Sequence, residues 1–199
     1  MLLMGKSVQT KQFIIETTAP VFNRQGYSGP SLSDLTEATG LSKGSIYGNF
    51  RDKDEVAIQA LKYNISRIND SFEKEKINAV SATAKLMAYP NAYRKMYREI
   101  LKNGGCPVLN TLTEADDTHE ELKRIAVLVI RRWKRDLARI IANGKNLGEF
   151  RSCTDENKQA NLIVTLMEGG SILTKSTGDD FFIKDALSHV EELITSMRV

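Results

Sequence analysis

The side chains best suited to recognise another molecule lie close together in SKGSIYGNFRDK, residues 42 to 53. Ile46 and Phe50, four apart, can anchor one face of a short helix and leave Lys43, Gly44, Ser45, Tyr47 and Asn49 outward. Ser45 and Asn49 can donate and accept hydrogen bonds at base edges, while Tyr47 offers a hydroxyl to a phosphate and a ring to a thymine methyl. Gly44 costs a helix about 1 kcal/mol relative to Ala, but clears a side chain where the backbone must approach DNA. Lys53 opens the next helix, whose free N–H groups and positive dipole end favour a phosphate. A helix of about eight residues is roughly 12 Å long, close to the major groove's width of about 12 Å.

Two elements must hold that surface in place. Residues 31 to 50, SLSDLTEATGLSKGSIYGNF, read as short helix, glycine-containing turn, short helix, the helix-turn-helix arrangement. Ser31 can cap the first helix, in which Leu32, Leu35 and Ala38 point inward; Gly40 ends it, and Ser42 can cap the second, which extends to about Phe50. Asp52 starts a further helix, with Glu55 completing a capping box, that can run to about Lys76. From spacing alone, a purely structural helical hairpin remains an equal alternative.

The rest of the chain repeats apolar residues at three- and four-residue intervals, and no alternating strand is visible, so the fold class is all-α with about nine helices. In the first helix Phe13, Ile14, Thr17, Val21 and Phe22 form one stripe, with a bend expected at Pro20. Pro30, Pro90 and Pro107 are placed in breaks, which gives helices at 79–88 and 91–102 and an irregular segment GGCPVLNTLTEADD at 104–117. A long helix follows from Thr118 to Asn143, with Thr118 and Glu121 as a second capping box, and then helices at 155–174 and 180–197.

The chain has 199 residues, 41% hydrophobic and 27% charged, which suits one compact domain or two small ones and excludes collagen-like, disordered and disulfide-scaffold classes. The net charge is only +3, and residues 1 to 53 hold six basic against four acidic groups, so any nucleic-acid affinity must come from placement. Two cysteines make no disulfide framework, no apolar run reaches the roughly 18 residues that span a bilayer, and the N-terminus lacks the core and cleavage site of a signal peptide. A cytoplasmic protein without membrane partners is expected.

Read together, residues 11 to 61 resemble the DNA-binding domain of the TetR family of transcriptional regulators. The resemblance rests on the stretch from Phe22 to Gly26–Tyr27 and on LTEATGLSKGSIYGNFRDKDEV. Matching positions implies that Ser42, Lys43, Gly44, Ser45, Tyr47 and Asn49 lie in or beside a recognition helix, that Lys53 contacts a phosphate, and that Ser31 and Ser33 are lesser phosphate contacts. Asn49 stands where the family often has histidine, Leu35–Thr36 where it often has isoleucine–alanine, and Pro20 is unusual. The segment 104–117 is similar to one in a subset of the family.

The resemblance implies a DNA-binding domain at 1–53 and a ligand-binding and dimerisation domain at 54–199. It also implies a homodimer on a pseudo-palindromic double-stranded operator, most simply a repressor released by a small, partly apolar effector. Apolar stripes at Ile163, Leu166, Met167, Gly170 and Leu173, and at Ala186, Leu187, Val190, Leu193, Ile194 and Met197, can form an isologous four-helix interface or complete the monomer core. Tyr93, Met96, Tyr97, Cys106, Asn110, Trp133 and Met167, with Tyr89, Ile100 and Glu168, combine apolar bulk with polar tips and are candidate pocket liners, with plain core as the alternative for each.

Other chemistry is weakly supported by the residues. Asp116, Asp117 and His119 suggest a metal, but adjacent carboxylates also suit a helix N-terminus, and a redox role for Cys106 or Cys153 is conceivable. No catalytic spacing and no phosphate-binding glycine loop is found, so no catalytic residue, cofactor or metal is assigned. A constitutive DNA-organising or partner-binding protein without a pocket is the competing function, and an enzyme on a helical scaffold a third.

Overall fold

A computed structural model describes residues 6–199. Residues 1–5, the first part of the N-terminus read above for a signal peptide, lie outside the described residues. Among those described are nine helices: α1 (Lys6–Gln25), α2 (Leu32–Thr39), α3 (Lys43–Tyr47), α4 (Lys53–Lys76), α5 (Ala82–Lys102), α6 (Pro107–Glu114), α7 (Glu120–Asn146), α8 (Glu156–Thr177) and α9 (Phe181–Ser196).

The small N-terminal unit is α1 to α3 closed over the first turns of α4. Ile14, Ala19, Phe22, Leu35, Ile46, Phe50, Val56 and Ala60 are buried at its centre. Removing such side chains from water is worth roughly 1.5–3 kcal/mol each, which orders helices too short to persist alone. Phe13, expected inward, is 47% exposed, because the buried stripe of α1 runs through Ile14, Ile15 and Thr18 instead. Ala38 is likewise exposed and Thr39 takes the inward position. α1 continues through Pro20, with its inner face packed on α4.

Capping residues set the boundaries. The Ser31 hydroxyl accepts from the Asp34 N–H while the Asp34 side chain accepts from the Ser31 N–H, a full capping box. Gly40 takes φ 67°, the left-handed value that lets the chain turn from α2 towards α3. Asp52 caps α4 through the Glu55 N–H, but Glu55 reaches back to the Arg51 N–H and the Lys11 ammonium, so the second half of that expected box is absent.

Three expectations for the C-terminal half need correction. Pro90 does not separate two helices: α5 runs unbroken from Ala82 to Lys102. Its missing N–H strands the Leu86 carbonyl, but Leu86, Tyr89, Pro90, Tyr93 and Tyr97 are all buried, and that burial offsets a cost of about 3 kcal/mol. The segment after it is not irregular, since Pro107 occupies the first turn of α6, where no N–H is needed. The cap of α7 is His119, whose Nδ1 accepts from the Leu122 N–H, and not Thr118, whose hydroxyl donates to the Glu114 carbonyl. The expected total of nine therefore arose from one helix counted twice and one overlooked.

α4 packs against both α1 and α5, α8 lies on α7 and α9, and α9 also packs on α5. The second core holds Leu86, Tyr93, Trp133, Leu137, Ile141, Ile163, Leu187 and Ile194. The stripes read on α8 and α9 are largely spent inside this core: Ile163, Met167, Gly170, Leu187, Val190 and Ile194 are buried within the monomer.

Candidate nucleic-acid interface and sensor cavities

α3 presents Lys43, Gly44 and Tyr47 to solvent, with the capping Ser42 beside them, while Ile46 and Phe50 are buried beneath. The Lys43 ammonium lies 5.8 Å from the centroid of the Tyr47 ring. A cation and an aromatic hydroxyl thus stand side by side on a helix anchored from below, an arrangement suited to a phosphate and a base edge.

Other sequence-selected residues are already engaged. Ser31 is held in its capping box. Ser33 is exposed. Ser45 is half-buried, and its carbonyl accepts from the Asn49 amide at 2.9 Å, while Asn49 Oδ1 accepts from the Ser7 hydroxyl. Asn49 therefore finishes α3 instead of standing free. The Lys53 ammonium donates to the Ser28 carbonyl at 2.9 Å and the Pro30 carbonyl at 3.1 Å, fastening the α1–α2 loop to the start of α4. Arg51 was missed: its side chain is 81% exposed in the α3–α4 turn, and only its position two residues before Lys53 could have drawn attention to it.

The small N-terminal unit is joined to the bundle through α6. The Glu114 carboxylate accepts from the Tyr27 and Ser28 N–H groups, each at 2.9 Å. The Asn23 amide donates to the carbonyls of Asn103 and Gly105, and the Asn110 amide donates to Asn23 Oδ1 at 3.0 Å and to the Gly104 carbonyl at 2.8 Å. Lys175 of α8 completes the chain by donating to Asn110 Oδ1. Gly104 has φ 98°, and a Cβ there would sit 2.7 Å from the Asn23 carbonyl, so backbone meets backbone where the two units join.

The proposed pocket residues do not converge on one cavity. An open groove of about 260 Å³ lies between α1, α4, α5 and the start of α6, lined by Asn23, Asn64, Arg67, Met96 and Ile100 among others, with the Arg67–Glu99 ion pair at its wall. Of the seven expected liners only Met96 reaches it. Trp133 and Met167, with Phe72, Tyr89, Leu137 and Glu168, surround a void of about 20 Å³ inside the bundle. Asn110 belongs to the network above, and the Tyr97 hydroxyl is hydrogen-bonded to Asp180 beside the α8–α9 turn.

Tyr93 and Cys106 are buried near Glu168. Burial, and then the charge of Glu168, pushes the phenol and the thiol well above their usual ranges, so Cys106 is held as a thiol that hydrogen-bonds to the Glu168 carboxyl. Burial raises Glu168 itself to about 7, an effect the Cys106 contact opposes. Glu168 as a residue is only half-buried, but its Oε2 is cut off from solvent, and it is this atom's surroundings that govern the charge. No group of three His, Cys, Asp or Glu side chains is placed to hold a metal among the described residues, since Asp116 pairs with Lys123 and His119 caps α7.

A helix-turn-helix unit carried on a helical bundle defines the class of helix-turn-helix transcriptional regulators. Residues 14–60 match the model of bacterial regulatory proteins of the tetR family, and residues 82–190 match the tetracyclin repressor-like C-terminal domain. The chain belongs to the TetR family of transcriptional regulators. It is similar to a TetR-family regulator structure from Cytophaga hutchinsonii, at 40% identity and TM-score 0.92 over 100% of this chain and 99% of that one. The HTH-type transcriptional repressor DhaR of Mycobacterium sp. (strain GP1) is 24% identical over 83% of this chain and 82% of its own length. The HTH-type transcriptional repressor NemR of Escherichia coli (strain K12) is 21% identical over 96% of both. No helix among the described residues is long and apolar enough to cross a membrane.

Proposed function

We propose that this protein is a homodimeric, ligand-responsive repressor that holds a pseudo-palindromic operator through α3 of each protomer and leaves it when a small molecule occupies the bundle. The observation that carries the proposal is the exposed Lys43–Gly44–Tyr47 face on a helix anchored by buried Ile46 and Phe50. Two repressor-named relatives spanning most of the chain support the sign of regulation.

Dimerisation is supported by what the monomer leaves uncovered. Leu162, Leu166, Gly169 and Leu173 follow one another along one line of α8, and Phe182 and Leu193 lie along one line of α9, with Leu162, Leu173 and Phe182 exposed by 39, 46 and 40%. Gly170 instead serves the monomer, because its missing Cβ lets Ala186 and the α9 backbone approach. Two such lines from each copy would close an isologous four-helix contact.

Effector response is supported by the position of the open groove, whose wall includes Asn23, the residue that ties α1 to the α5–α6 loop and α6. A ligand preferring one arrangement of α4 and α6 over another would shift the spacing of the two recognition helices. We assign Lys43, Gly44 and Tyr47, with Ser42 and Arg51 beside them, to DNA, and Lys53 and Asn49 to holding that surface in shape. Selection of bound genomic fragments followed by titration of Tyr47→Ala and Lys43→Ala tests the proposal. Tyr47→Ala should lose at least tenfold in affinity, and Lys43→Ala should lower the salt slope by about two for a dimer making one such phosphate contact per half-site. Wild-type affinity in both variants, with the dimer intact, would overturn it.

A further inference from the structure

The small void inside the bundle has a composition that ordinary core does not require. Three aromatic rings wall it: Phe72 of α4 lies 4.9 Å from Tyr89 of α5 and 6.1 Å from Trp133 of α7, centroid to centroid. Into the same void comes Glu168, whose Oε2 is buried without a hydrogen-bond partner and which enters no ion pair among the described residues. An unpaired buried carboxyl oxygen costs about 1–3 kcal/mol, and the Cys106 thiol, a weak donor to this carboxyl, leaves Oε2 without a partner among the described residues. Aromatic faces carry negative potential, so rings and carboxylate together attract positive charge.

The wall is already used that way on its outer side. The Lys76 ammonium sits 5.1 Å from the Tyr89 centroid, inside a second cleft of about 280 Å³ that shares Phe72, Tyr89 and Trp133 with the void. One layer of rings thus separates a cleft of small-ligand size from the buried carboxyl. The void at about 20 Å³ has room for little more than a water molecule, so entry requires the rings to part.

We propose that an organic cation, an amine or quaternary ammonium group, enters between these rings and is held by Phe72, Tyr89 and Trp133 with Glu168 as its counter-ion. This rests on the proposed effector response but concerns a site distinct from the groove beside Asn23, and it supplies the chemical class of the ligand that site takes. Glu168 ionises as the cation binds and gives up its proton to solvent. The other titratable groups facing it are Cys106 at the start of α6, with Tyr93 and Tyr89 on α5. All three are raised by burial and stay neutral near pH 7, while the void-lining residues of α4 and α7 are uncharged.

Trp133 is the single tryptophan of the chain, so its fluorescence reports on the wall directly. The probes are phenyltrimethylammonium and its uncharged isostere tert-butylbenzene, titrated into the full-length protein. The cation should bind saturably at pH 8 and at least tenfold more tightly than the isostere. Glu168→Gln should weaken the cation at least tenfold and leave the isostere unchanged. From pH 8 to pH 6 the wild-type affinity for the cation should fall by about tenfold, following ionisation of a group near 7, and the variant's should not. Equal affinity for the two probes in the wild type, or no binding because the void holds only water, overturns the proposal whether or not the variant folds. Unchanged cation affinity in a folded Glu168→Gln protein, the mark of binding in the outer cleft alone, also overturns it. Operator binding is measured on the same preparation without probe: its absence defeats the regulator proposal alone, whereas intact operator binding without cation selectivity defeats this one alone.

Discussion

Glu114 is one of the points at which the bundle grips the small N-terminal unit, and replacing it isolates that grip. Its two carboxylate oxygens each accept one backbone N–H, from Tyr27 and from Ser28, at 2.9 Å. Glu114→Gln keeps the size, removes the charge and turns one acceptor into an NH₂ group facing an N–H. One hydrogen bond to a charged acceptor is lost and the other weakened, at about 1.5–3 kcal/mol for a bond of that kind. Because the Ser28 N–H is exposed and can turn to water, we take a loss of about 2 kcal/mol. For a chain of this size that lowers the melting temperature by about 4–8 °C. The more specific readout is local: hydrogen exchange at the Tyr27 and Ser28 amides should accelerate by about 30-fold if those sites open by breaking this grip. Operator affinity should fall with it, since the loosened loop also carries the carbonyls that hold Lys53. Wild-type protection at both amides together with an unmoved melting temperature would refute the assignment of Glu114 as the clamp.

Two further predictions concern the bundle. A Cβ on Gly144 would lie 2.3 Å from a Phe150 ring carbon and 2.9 Å from the Ala82 Cβ, so Gly144→Ala should destabilise in urea by about 1–3 kcal/mol although alanine favours helix, and Phe150→Leu in the same chain should recover part of the loss. Glu168 is raised from 4.5 to about 7 in the folded state, so the native protein binds the extra proton between those values and its stability falls as pH rises through that window. Glu168→Gln should therefore gain on the wild type by on the order of 3 kcal/mol between about pH 4.5 and pH 7, measured by denaturant unfolding, and a pH-independent difference would contradict the buried acid.

How much was legible in advance differs between the two halves. Around α2, α3 and α4 the instructions are local: Ser31, Ser42 and Asp52 cap their helices, Gly40 turns the chain, and Ile46 and Phe50 anchor α3, all within a few residues of what they control. There sequence spacing is a direct image of structure. In the bundle, the same local rules misplaced Pro90 and overlooked α6. A proline's cost is local, but the burial of Leu86, Tyr89, Tyr93 and Tyr97 that outweighs it comes from α4, α7 and α9.

Side-chain partnerships divide the same way. That Lys43 and Tyr47 would face outward followed from their helical offset from Ile46; that Lys53 would turn to Ser28 and Pro30 did not, because 23 and 25 residues of chain separate the partners. The sequence by itself determined an all-helical chain with a helix-turn-helix near its start, since caps, turns and amphipathic period act over three or four residues. Only the tertiary structure decided that Glu114 clasps the loop after α1, and that Phe72, Tyr89, Trp133 and Glu168, drawn from four helices, meet around one void. Burial and unpaired charge are properties of what surrounds a residue, and those surroundings are assembled from distant parts of the chain.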